Sequence, residues 1–145
     1  MSKADTWEFG LLDLLFLNTA FTNVGDAGGL LPSATVGSLF LSLHTADPGE
    51  AGDQTTNETS YTSYARVAVA RSAGGFTRTG SSISPTANVD FPAATGGTAT
   101  ITHFGIGTAS AAAGKLLYKG TVTPNIAVSS GVIPRLTTAS TVAED

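Results

Sequence analysis

From Ser38 onward the apolar residues of this chain recur at every second position, in short runs ended by glycine or proline. A period of two puts alternate side chains on opposite faces, so such runs fold as half-buried strands and not as helices. Leu39, Leu41 and Leu43 alternate with Phe40, Ser42 and His44, and the run from Tyr64 to Arg71 puts Val67 and Val69 on one face. Short runs at Phe76 to Thr79, around Ile83 and at Val89 to Phe91 follow, separated by Gly74-Gly75, Gly80, Pro85 and Pro92. Thr98 to Ile106 is the longest strand signal; its inward phase slips between Ile101 and Phe104, which predicts a bulge near His103. Lys115 to Thr123 reads as a strand, Pro124-Asn125 as a turn, and Ile126 to Val128 as a short strand. A last strand from Val132 to Val142 is interrupted at Pro134, which favours a sheet edge. The polar, turn-rich stretch from Thr45 to Ser60 reads as a long exposed loop.

About eight or nine short strands at regular spacing, with no helices between them, predict a mainly β fold. The expected architecture is a two-sheet β-sandwich of jelly-roll type with one N-terminal α-helix. It is expected to form one domain over residues 1–145, with the helix at about 5–18, a Gly-rich connection at 19–37 and the sandwich at 38–145. Asp5 is placed to cap the helix, and Glu8 three residues later completes a capping-box-like pair. At 100° per residue Trp7, Leu11, Leu14 and Leu15 share one face, while Phe9, Leu12 and Phe16 lie nearly opposite, with Glu8 and Asp13 on the flanks. A surface helix has one apolar stripe, and this one has two. Either it is buried wholly inside its own domain, or it is held between its own β-core and a neighbouring subunit. On the second reading Trp7, Phe9, Leu12 and Phe16 are the candidate interface residues.

Charge is scarce. Asp, Glu, Lys and Arg make up 12% of the chain, against about 25% in an ordinary soluble domain, and 22 threonines and 17 glycines stand in their place. Small neutral polar side chains lose little entropy when another surface covers them, so the composition suits a surface built to be covered. A net charge of −4 opposes phosphate, and nucleic acid is not an expected partner. The apolar run Leu11 to Leu17 is acidic at its flanks and far shorter than the ~20 residues that span a bilayer, so neither an export signal nor a membrane partner is expected. With no cysteine there is no disulfide and no thiolate chemistry.

Two histidines, His44 and His103, are the only imidazoles, with Asp47 or Glu50 as the nearest helpers for a metal. A metal needs three or four converging ligands, and a hydrolase needs a nucleophile beside an oriented base; the sequence spells out neither, and no cofactor is expected. Asp47, Glu50, Asp53 and Glu58 are spaced by three and five, unlike the alternate ligands of a calcium loop, and read as the acids of a solvated loop.

Several stretches carry a family resemblance: LHTADPGEAGDQTTNE from Leu43 to Glu58, YARVAVAR from Tyr64, FPAATGGTATITHFGIGT from Phe91 and GKLLYKGTV from Gly114. The N-terminal WEFGLLDLLF fits the same pattern. Together they resemble small structural proteins of tailed-bacteriophage virions, often labelled tail-fibre proteins and in some phages serving as capsid cement or decoration. The resemblance implies a non-enzymatic virion protein made in the bacterial host cytoplasm. No shaft repeat, heptad run or aromatic-rich tip is present. The expected role is therefore a capsid cement protein on the capsid surface, binding the major capsid protein and itself as a homodimer or homotrimer. A tail or tail-fibre component involved in host adsorption is the alternative.

Overall fold

The computed structural model describes residues 2–144 and is mainly β, with one helix. Helix α1 (Asp5–Phe16) is followed by β1 (Ser38–His44), β2 (Val67–Ala70), β3 (Phe76–Thr79), β4 (Ser82–Pro85), β5 (Val89–Asp90), β6 (Ala99–Gly107), β7 (Leu116–Val128), β8 (Arg135–Leu136) and β9 (Val142–Ala143). The chain gathers into two compact units, neither continuous in sequence: residues 2–38, 69–88 and 137–144 form the first, and 39–68 with 89–136 the second.

In the first unit α1 packs on the three-stranded sheet β3-β4-β9. Phe76 pairs with Pro85 and Thr79 with Ser82 across β3 and β4, and Ile83 pairs with Val142 of β9. Leu12 and Phe16, one helical turn apart, are fully buried with Phe76, Ile83 and Val142, and the rings of Phe16 and Phe76 meet edge to face at 4.9 Å. Glu8 continues the same stripe one turn earlier and is buried too, so it does not sit on the flank of the helix. No side chain caps the N-terminus: Ala4, in extended conformation, holds that place, and its carbonyl accepts from the N–H groups of Trp7 and Glu8. Asp5 lies inside the first turn, where a negative charge complements the helix dipole without bonding an end group.

Two arginines fasten the helix. Arg71 donates Nε to the Leu15 carbonyl at 2.6 Å and Nη2 to that of Leu14 at 2.7 Å, satisfying two carbonyls of the last turn. Arg78, on β3, donates Nε to Asp13 at 2.6 Å and lies 4.8 Å from the centre of the Phe9 ring. Gly10 is a poor helix former, yet a Cβ there would come within 2.5 Å of the Phe21 ring.

A four-stranded sheet has the order β2-β1-β6-β7; β1 from Leu39, β6, β7 and the first two residues of β2 belong to the second unit, in which β5 pairs with β8. Leu41 lies opposite Ile106 and Leu43 opposite Phe104 on one face, all buried. The register between β6 and β7 shifts between Ile101 and His103, the bulge that the phase slip predicts. The turn expected at Pro124-Asn125 is instead part of β7. Ile101 pairs with Ile126 and His103 with Thr121, so residues 122–125, including the cis Thr123–Pro124 bond, loop out of the ladder opposite Thr102 while the strand continues. The single last strand expected from Val132 to Val142 is two short ones, β8 and β9, each in a different unit.

The burial pattern separates core from rim on α1. Phe16→Ala is expected to lower stability by about 3–5 kcal/mol, as aromatic truncations in cores do. Trp7→Ala, at a side chain 41% exposed, should cost under about 1 kcal/mol. Urea unfolding followed by circular dichroism compares the two.

Candidate functional site

The histidines and loop acids singled out in the sequence as candidate ligands or bases all fall in the second unit, and the fold gives each its own partners. His44 ends β1 on the face opposite Leu41 and Leu43, and it is completely buried together with Ser42. Its Nδ1 lies 2.8 Å from the Thr56 carbonyl, which can only accept, so Nδ1 carries the proton. Burial pushes its pKa below the ordinary 6.5 and keeps the ring neutral, so Nε2 accepts from the Ser42 hydroxyl at 2.8 Å. A serine donating to a histidine has the outline of a nucleophile and its base, but here the third partner is a main-chain carbonyl and neither side chain meets solvent. The pair holds a loop.

That loop is the stretch expected to be exposed; half of its residues are, but Pro48, Gln54 and Thr59 are buried and pin it to the sheet. Thr45 N–H bonds the Asn57 carbonyl and Thr59 N–H bonds the Leu43 carbonyl, folding the segment back beside β1. Gln54, at its middle, is fully buried. Its amide donates to the Phe40 carbonyl at 3.2 Å and accepts from Ala109 N–H at 2.9 Å. Gly105 and Gly107 of β6 make room for this: a Cβ at Gly107 would stand 2.1 Å from the Gln54 side chain, and one at Gly105 would stand 2.8 Å from both the His44 ring and the Ser42 hydroxyl. Gln54, Ser42, Thr56 and the two glycines were not identified from the sequence. The signal available was Phe104-Gly-Ile-Gly107, two glycines at strand spacing on one face of an otherwise apolar run.

The loop acids are divided among local tasks. Asp53 closes its own turn, accepting from the N–H and hydroxyl of Thr55, which hold its carboxyl below the usual range. Asp47 accepts from Gly49 N–H, the main cause of its own lowered pKa, and together with Glu50 it meets Lys119 of β7, at 3.0 and 3.3 Å. Glu58 is held by Arg66 through two bonds of 2.7 Å and by the Tyr64 hydroxyl at 2.8 Å, while Arg66 Nη1 donates to the Ala109 carbonyl. Burial pushes the Tyr64 phenol up, so it stays a donor. His103, opposite His44 in the ladder, bonds Thr102. Among the described residues no three His, Asp or Glu side chains converge as a metal would require, and no helix is long and apolar enough to cross a membrane.

Beside Lys119 two shallow grooves follow the start of β7. One, of about 240 Å³, lies between Gly49, Glu50 and Gly52 and residues 116–119; the other, of about 530 Å³ and wider open, is lined by Gly52, Asp53 and residues 113–117. Leu116 and Leu117 line both, with Glu50, Tyr118 and Lys119 in the narrower one and Asp53 and Lys115 in the wider. The four residues proposed from the helical wheel lie in the first unit: Leu12 and Phe16 belong to its core, so a partner can reach only Trp7 and part of Phe9.

Neutral His44 makes the latch sensitive to acid. Below pH 6.5 the unfolded chain takes up a proton that the folded chain refuses, so stability falls as pH drops from 6.5 toward the lower folded value. Unfolding free energies measured from pH 7 to about pH 5 should show this slope, flattened in His44→Asn; Asp47 and Asp53 titrate lower still and do not contribute there. Arg66→Ala leaves Glu58 without its cation. Because Glu58 keeps 15% side-chain exposure and can partly rehydrate, the expected loss is about 3 kcal/mol, the low end for a broken buried pair, read from urea midpoints.

Over residues 2–144 the chain matches the family model described as podophage GP4 fiber I protein gp80. Among curated proteins no relative matches it. The match extends over the helix, the loop latch and every strand, and the chain belongs to this family of tailed-phage virion structural proteins, labelled as fibre proteins.

Proposed function

We propose that the chain is a non-enzymatic structural subunit of the phage virion and that its place is the tail fibre. The family description supports the fibre, and it shifts the balance from the capsid-cement role that the composition favoured. One structural observation carries the assembly role. On the first unit Trp7 and Phe21 contact each other with ring centres 5.3 Å apart, Phe21 is bridged to Leu30 by two backbone bonds, and Leu31 comes next at 74% exposure. With Leu30 40% exposed, these side chains form an apolar patch that a free monomer would leave in water. A virion subunit covers such a patch against a neighbour.

On this reading the partners are further copies of the chain and other tail proteins. Capsid cement, with the major capsid protein as partner, is the second reading, favoured by the scarcity of charge. A two-sheet sandwich of jelly-roll type is the finer fold expectation that goes with either role, and the antiparallel pairing of β1 with β6 and of β6 with β7 is compatible with it.

Gold-labelled antibody against the chain is expected to mark fibres on intact virions; labelling over the head would replace the fibre reading with cement. Trp7→Ser combined with Leu31→Ser should leave a folded chain, judged by circular dichroism, that is missing from assembled particles. Incorporation at the wild-type level would show that the patch is not the contact.

A further inference from the structure

We infer that the outer edge of β7 is a strand-pairing interface, and that it takes the same edge of a second copy, antiparallel, about a two-fold axis. This inference does not rest on where in the virion the chain is placed.

The four-stranded sheet ends on one side at β2 and on the other at β7. β2 has four residues and offers little edge, whereas β7 has thirteen, about twice the usual strand. A long sheet edge with no strand beside it is a template for another strand, and chains that must stay apart blunt it with charges, proline or a cover. On β7 residues Tyr118–Thr121 pair in continuous register with β6, the register shifts once more between Tyr118 and Leu116, and the whole stretch Leu116–Thr121 carries one charge, Lys119. Its ammonium is occupied by Asp47 and Glu50 of the same chain, so it guards the edge weakly. The proline, Pro124, lies beyond this stretch in the part that loops out of the ladder. Of the glycines that line the grooves along residues 113–119, Gly49 faces open space, where no side chain keeps another backbone at a distance.

The charges beside the edge indicate which strand fits. Lys115 and Lys119 lie on the edge, and Asp47, Glu50 and Asp53 lie on the loop next to it, with Glu50 95% exposed. A rim of both signs is complementary to itself: turned about a two-fold axis, the acids of one copy approach the lysines of the other. Antiparallel pairing of identical strands has that symmetry, and it closes the assembly as a dimer. Two sheets joined at β7 leave only the short β2 edges outside.

The chain has no cysteine, so single cysteines can be introduced without background. Leu117→Cys, Thr121→Cys, Thr123→Cys and Asn125→Cys place thiols along β7, the last three at exposed positions. Oxidation of the purified full chain is expected to give a disulfide-linked dimer at one position near the axis and little at the others. Equal cross-linking at every position would mean parallel pairing and would overturn the two-fold. Sedimentation of the wild type should show a dimer, and a monomer up to millimolar concentration would overturn the proposal. Thr121→Lys adds a like charge on the edge. It should raise the dimer dissociation constant roughly tenfold or more with an unchanged circular-dichroism spectrum. An unchanged constant would place the contact elsewhere, for example on the Trp7 patch.

Discussion

The second unit depends on the absence of two side chains. At Gly105 and Gly107 β6 presents bare backbone on one face, and into that space fit the imidazole of His44, the hydroxyl of Ser42 and the amide of Gln54. A methyl group at either position would collide with these groups, so the loop from Thr45 to Thr59 lies on the sheet only because β6 is hollow there. Each buried polar group then needs a partner, since an unpaired one costs about 1–3 kcal/mol. Gln54 bonds two backbone groups and His44 bonds Ser42 and Thr56; Thr59 Oγ1 is the one buried side-chain oxygen or nitrogen among the described residues without a partner. The result is a sheet apolar on one face and, on the other, sealed by hydrogen bonds in place of a second apolar layer.

Scarcity of charge looks different once the fold is known. Arg71 and Arg78 hold α1, Arg66 holds Glu58, Lys119 holds the loop acids and Arg135 holds Asp90. Cations placed singly at joints make no continuous field, which explains why three arginines at positions 66, 71 and 78 form no basic patch. Arg66 turns to the second unit's loop and the other two to the first unit's helix. The surface between these joints is threonine, serine, alanine and glycine, which a neighbouring subunit can cover without desolvating charge. That property fits a protein that works as part of a particle, and it says nothing by itself about which part.

Sequence alone determined the features that local periodicity carries: the helix near residues 5–16, the strands at β1, β3, β6 and the start of β7, and the slip in β6. It also carried the resemblance to phage virion proteins that the family match bears out. A period of two or of 3.6 is a property of neighbours in the chain, so it survives without knowledge of the fold. What only tertiary structure decided was long-range. Composition marked residues 45–60 as loop, but nothing local shows that Gln54 meets Gly107 or that Thr56 meets His44. On α1 the helical wheel offered two apolar faces, and only the sheet β3-β4-β9 chose Leu12 and Phe16 as core, leaving Trp7 outside. Pro124 reads locally as a turn, and continuous pairing with β6 on both sides keeps it within β7. In each case the deciding energy is a contact between residues far apart in sequence, and such contacts leave no period to read.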